Sequence, residues 1–97
     1  MATSVAHVPT QSASRYLQQL CKHWGHKFTV EFDAQHGRID LPMGPLVMDA
    51  SPDVLIVTLE SADPAAFDRF ESVVAEHVQR FAFREALAFD WRRTIDA

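Results

Sequence analysis

The chain has 97 residues, enough for one domain over residues 1–97 with its core between about residues 3 and 92, and too few for two. Hydrophobic residues at 47% and charged residues at 23% exclude a disordered chain. The formal charge of −4 excludes the basic face of a general nucleic-acid binder.

Thr3 to Val8 is partly β-branched and ends at Pro9, which reads as an edge or opening strand. Thr10 or Ser12 can then cap a helix running to about Trp24, and Ala13, Leu17, Leu20, Cys21 and Trp24 form its buried stripe. Gly25 is the expected stop, since it tolerates a left-handed conformation. Phe28, Val30 and Phe32 alternate with polar residues and predict a half-buried strand. After a turn over Ala34–Gly37, Ile39, Leu41 and Met43 predict its hairpin partner. Pro42, Gly44 and Pro45 interrupt, and Leu46 to Ala50 resumes as a short strand. Ser51-Pro52-Asp53 is a turn, and Val54 to Glu60 is the strongest strand signal in the chain.

Asp63 and Pro64 open a second helix, with Pro64 at the first position, where its missing N–H is harmless. Phe67, Phe70, Val74, His77, Val78 and Phe81 follow at helical spacing. A last strand is expected over about Phe83 to Arg92, with Leu87, Phe89 and Trp91 on one face. Short turns make neighbouring strands antiparallel, and two helices with one apolar stripe each belong on the same sheet face. The expected fold is therefore an α+β two-layer sandwich of order β-α-β-β-β-β-α-β. That order resembles the TATA-binding-protein-like architecture with an added strand, a likeness of shape that implies no DNA binding.

Charge is uneven. Residues 1–30 carry three basic residues and no acid, residues 31–78 carry two basic against ten acidic, and residues 79–97 carry four against three. A single cysteine, Cys21, makes no internal disulfide. Neither a secretory leader nor an apolar run of about 18 residues is present, so a cytoplasmic protein without membrane contact is expected.

The densest polar cluster is Cys21, Lys22, His23, His26 and Lys27. Cys21 and His23 point about 200° apart on a helix, whereas His23 and His26 share a face only if the helix continues past Gly25. His77 interrupts the apolar stripe of the second helix and needs a partner. That partner is either a backbone carbonyl or a carboxylate such as Asp40 or Glu85, or else the first helix at Tyr16, His23 or His26. Arg80 and Arg84 suit a bidentate carboxylate or phosphate, or structural pairing with the acidic middle of the chain. Asp40 and Asp49 fall on neighbouring strands as a candidate carboxylate pair. No nucleophile elbow and no Gly-rich phosphate loop occurs, so no catalytic residue is assigned and the cofactor is unknown.

Three blocks carry a resemblance. They are Arg15-Tyr16-Leu17 through Leu20, Cys21, His23, His26 and Lys27 to Glu31-Phe32; Gly37-Arg38-Ile39-Asp40; and His77 through Glu85, with Trp91 after it. Together they resemble the bacterial domain of unknown function 2218 family over about Ala6 to Arg92. The resemblance implies an uncharacterised protein with motif residues Cys21, His23, His26, Lys27, His77, Arg80 and Arg84. Members resemble a domain sometimes joined to siderophore-interacting flavoproteins, which implies iron handling.

Three functions follow as expectations. The first is a non-enzymatic binding or accessory module for a small anionic ligand or an iron-uptake flavoprotein, using His23, His26, Lys27, His77, Arg80 and Arg84. The second is a transition-metal site on Cys21, His23, His26 or His77, catalytic in its strongest form. The third is a structural homodimer joined at the first or last strand.

Overall fold

Alternation along a strand decides which side chains face the helices, so the strand pairing fixes one covered sheet face and one open face. The computed structural model describes residues 2–95. The elements are β1 (Ala2–Pro9), α1 (Ala13–Trp24), β2 (Val30–Phe32), β3 (His36–Leu41), β4 (Gly44–Ala50), β5 (Val54–Ser61), α2 (Phe67–Phe81) and β6 (Trp91–Ile95). One turn of 3-10 helix over Pro64–Ala66 leads into α2. The six strands form one antiparallel sheet in the spatial order β2-β3-β4-β5-β1-β6. The element order and the α+β class are those the sequence predicts.

Register places Ile39, Leu46, Leu59 and, on the next row, Met48, Val57 and Ala6 on the covered face, all fully buried. Leu17, Leu20 and Cys21 from α1 and Phe67, Phe70, Val74 and Val78 from α2 close over them. Each large apolar side chain buried in this way contributes about 1.5–3 kcal/mol. Asp63 caps the entry to α2, its carboxylate accepting from the Ala65 amide at 3.0 Å.

Five local expectations are corrected. The opening strand is no edge: β1 lies between β5 and β6, and the edges are β2 and β6. Phe32 is 40% exposed, because it sits on the short edge strand β2. Met43 belongs to the turn between β3 and β4 rather than to a strand. That turn depends on Gly44, at φ +141°, where a Cβ would lie 1.9 Å from the Glu60 carbonyl oxygen. Gly25 ends α1 without a left-handed turn, at φ −62° and ψ −16°, because the Lys27 and Phe28 amides both donate to the Trp24 carbonyl and tighten the last turn.

The last strand begins eight residues later than expected. The Gln79 side chain takes the backbone groups that a strand partner would have taken. Its amide nitrogen donates to the carbonyls of Ala82 (2.9 Å) and Glu85 (2.8 Å), and its amide oxygen accepts from the Leu87 N–H (2.9 Å). Residues 82–90 therefore cross the end of α2 as an irregular arm, and only Trp91–Ile95 joins β1.

Candidate functional site

Where α1 and α2 meet, each helix interrupts its apolar stripe with polar side chains. On α2 His77 is half-buried, with Nδ1 2.7 Å from the Val73 carbonyl oxygen. A carbonyl only accepts, so Nδ1 carries the proton and Nε2 keeps the lone pair when the ring is neutral. The ring lies 4.8 Å from the Trp24 ring and 5.8 Å from the His23 ring, centroid to centroid. His23 also approaches Phe81 edge-on at 6.0 Å. Of the two partner types considered for His77, a backbone carbonyl holds one nitrogen while the ring itself faces α1.

The remaining residues of the sequence cluster diverge. Cys21 is fully buried against β3, its Sγ 2.9 Å from where a Cβ on Gly37 would stand, and burial pushes its thiol up to about 11. His26 and Lys27 are exposed on the turn after α1, without a side-chain hydrogen bond or ion pair among the described residues. Among the described residues no three of His, Cys, Asp and Glu are placed to hold one metal ion.

Further along the same cleft the Tyr16 hydroxyl donates to Glu85 Oε2 at 2.5 Å, and the Thr10 hydroxyl donates to the same oxygen at 3.2 Å. Thr10 Oγ1 also accepts from the Ser12 N–H at 3.1 Å, so one threonine ties the start of α1 to the arm. Burial, and next the bond to the Glu85 carboxylate, hold the Tyr16 phenol above its ordinary pKa. Beside this bond is a recess of about 110 Å³ lined by Arg15, Tyr16, Phe81, Phe83 and Arg84. Phe83 is 74% exposed, and the Arg84 guanidinium carbon lies 5.6 Å over its ring. Neither Arg15 nor Arg84 makes a hydrogen bond or ion pair among the described residues.

Arg80 does not join Arg84. It lines a separate, wide depression with Ala75, Glu76, Gln79 and Phe89. Asp40 and Asp49 do not form a carboxylate pair either. Asp40 accepts from Arg38 at 3.1 Å, and Asp49 meets His36 Nδ1 at 2.7 Å.

Sequence reasoning missed a second polar cluster, under α2. Ser4 on the sheet floor is fully buried and donates to Glu71 Oε2 at 2.6 Å. Arg93 on β6 reaches Glu71 at 2.9 and 2.8 Å and Asp68 at 2.6 Å. The Arg93 bonds, against the opposing effect of burial, hold the Glu71 carboxyl below the usual carboxylate range. The only signal in the sequence was Glu71 standing among Phe67, Phe70 and Val74 on the buried side of α2. Arg15, Tyr16 and Glu85 were legible as the outer ends of two motif blocks, and the fold brings those ends together.

Among the described residues no helix is long and apolar enough to cross a membrane. Residues 5–92 match the model of a family described as uncharacterized protein conserved in bacteria (DUF2218). A similar solved structure is the NMR structure of PA4090 from Pseudomonas aeruginosa. It is 42% identical, covers 95% of this chain and 96% of that chain, and superposes with a TM-score of 0.79. No curated protein matches. The chain belongs to the DUF2218 family.

Proposed function

Starting from membership of a family without an assigned activity, we propose that this protein is a non-enzymatic binding module for a small organic anion. The observation that carries this reading is the recess lined by Arg15 and Arg84 with no acidic partner for either guanidinium among the described residues. An unpaired arginine beside an aromatic floor favours a planar carboxylate, which it can hold through two parallel N–H···O bonds. At about 110 Å³ the recess has room for roughly three to four waters, so it takes a head group and not a whole ligand. Catecholate and carboxylate iron chelators present such head groups, and the iron-handling context of the family resemblance supports them as the class to try.

The test is an NMR titration of the full chain with salicylate, and separately with a ferric catecholate siderophore. Amides of Arg15, Tyr16, Phe83 and Arg84 are expected to shift together. Arg15→Ala and Arg84→Ala are each expected to weaken binding by about tenfold, the loss of one charge-assisted contact. Shifts elsewhere, or unchanged affinity in both variants, would sink the reading.

A second reading, a homodimer, is favoured by the open sheet face. One row across it runs Glu31, Arg38, Val47, Thr58, Val5 and Arg92. A two-fold axis along the strands would set Glu31 of one copy against Arg92 of the other around the apolar centre. Light scattering that gives the monomer mass at millimolar concentration would remove it.

A further inference from the structure

We propose that His23 and His77 form a two-imidazole site for one divalent ion of the zinc, nickel or copper type, bridging the C-terminal ends of the two helices. This site is independent of the anion recess. Its first support is spacing. Two imidazoles bound to one ion through bonds of about 2.0–2.1 Å place their ring centroids about 5–6 Å apart. The His23 and His77 centroids stand 5.8 Å apart with the rings tilted by 42°.

The second support is orientation. A metal-bound imidazole usually donates its other N–H to a carbonyl or carboxylate, which fixes the tautomer and the orientation of the ring. His77 already makes that bond, from Nδ1 to the Val73 carbonyl at 2.7 Å, and presents Nε2 as its lone pair. Packing against Trp24 at 4.8 Å further restrains the ring.

The third support is access. His23 is exposed and His77 only half-buried, so an ion reaches them from solvent and water completes its coordination. With Cys21 turned into the core, the donors are neutral nitrogens. That suits borderline transition ions and not magnesium or calcium, which take oxygen.

The experiment uses the full chain, stripped with chelator, exchanged into metal-free buffer and titrated with zinc chloride. It is followed through the ring nitrogens of all five histidines by NMR. Resonances of His23 and His77 are expected to move together and saturate at one ion per chain, while His7, His26 and His36 stay in place. His23→Gln and His77→Gln should each weaken zinc binding by about tenfold or more. Val73 supplies only a carbonyl, so Val73→Ala should leave binding intact. Because His23 is exposed, His23→Gln tests the site without disturbing the fold. Saturation that moves other histidines, or affinity unchanged in His23→Gln, overturns the proposal.

Discussion

Arg93 lies between two carboxylates, 2.8 Å from Glu71 and 2.6 Å from Asp68, whereas Arg15 and Arg84 border a recess without an acidic partner among the described residues. The side chain is the same in both regions and its chemistry is opposite. Under α2 the guanidinium charge is matched by two carboxylates, and Ser4 and Glu71 beneath it are buried, so this cluster ties β6 to α2. In the cleft the hydroxyls of Tyr16 and Thr10 occupy Glu85 in place of either arginine, which leaves two positive charges uncompensated beside an exposed ring. Availability for binding is thus set by which groups the fold has already paired, and a count of charges along the chain does not reveal it.

The strongest way to break this comparison is Glu71→Ala. It leaves Arg93 with only the exposed Asp68 and strands the buried Ser4 hydroxyl. Losing the charge-assisted bonds of Glu71 and leaving the buried Ser4 hydroxyl unpaired is expected to cost about 3 kcal/mol. Thermal and urea unfolding should show a midpoint lower by about 10 °C or more. Affinity for salicylate below the new midpoint should not change. A loss of affinity would mean the two regions are one coupled unit.

Glu71 also contributes to the acid limb of stability. Its carboxyl is held low in the folded protein, so its contribution is complete above the ordinary Glu range and is lost as pH falls through the lower folded value. Urea midpoints between about pH 6 and 3 should therefore fall more steeply for the native chain than for Glu71→Gln. Equal slopes would mean that Arg93 does not hold the carboxylate in solution.

Gln79→Ala comes next in size and acts on both stability and binding. Its side chain makes three bonds to the backbone of residues 82–87, and these shape the arm that carries Phe83 and Arg84. Losing them is expected to cost about 2 kcal/mol, at about 0.5–1.5 for each bond. The arm should loosen, so amide exchange should rise at residues 83–87 and salicylate should bind more weakly, although Gln79 does not line the recess. Unchanged exchange would show that the arm is held by packing alone.

The same residue explains what the sequence could and could not tell. Both helices, the Asp63-Pro64 start of α2 and the order of elements along the chain were legible, because apolar period and turn residues act locally. The alternation of Leu87, Phe89 and Trp91 also looked local, yet Gln79, eight residues before Leu87, overrides it by claiming the backbone. Gly25 and β1 misled for a related reason. The end of a helix and the edge of a sheet depend on what lies beside them, and neither amide bonding to Trp24 nor the addition of β6 is written in the adjacent residues. At the cleft, helical spacing put Cys21 on the buried stripe and brought His77 towards His23, but it could not say that Arg80 and Arg84 would part. The bond from Tyr16 to Glu85 spans 69 positions and has no local signature.

That long-range bond gives the smallest and most specific effect. Tyr16→Phe keeps the ring in the recess and removes only the hydroxyl, so the expected loss is about 1 kcal/mol, or about 4–8 °C. Its distinctive mark is on the alkaline side. The Tyr16 phenol is held above its ordinary pKa, and the Cys21 thiol is raised from 9.0 to about 11. Each group binds its proton more tightly when folded, so its stabilisation is complete below the ordinary value and is lost as pH rises through the folded one. Native stability should therefore erode above about pH 9, first through Cys21 and then through Tyr16. In Tyr16→Phe the later part of that slope should vanish while the earlier part remains, and in Cys21→Ala the reverse should hold. Released from Tyr16, the Glu85 carboxylate becomes free to compete for Arg15 and Arg84, so the same variant should bind salicylate more weakly at neutral pH. If Tyr16→Phe leaves both the alkaline slope and salicylate affinity as they were, the hydroxyl is not what keeps Glu85 from the arginines, and the contrast with Arg93 loses its cause.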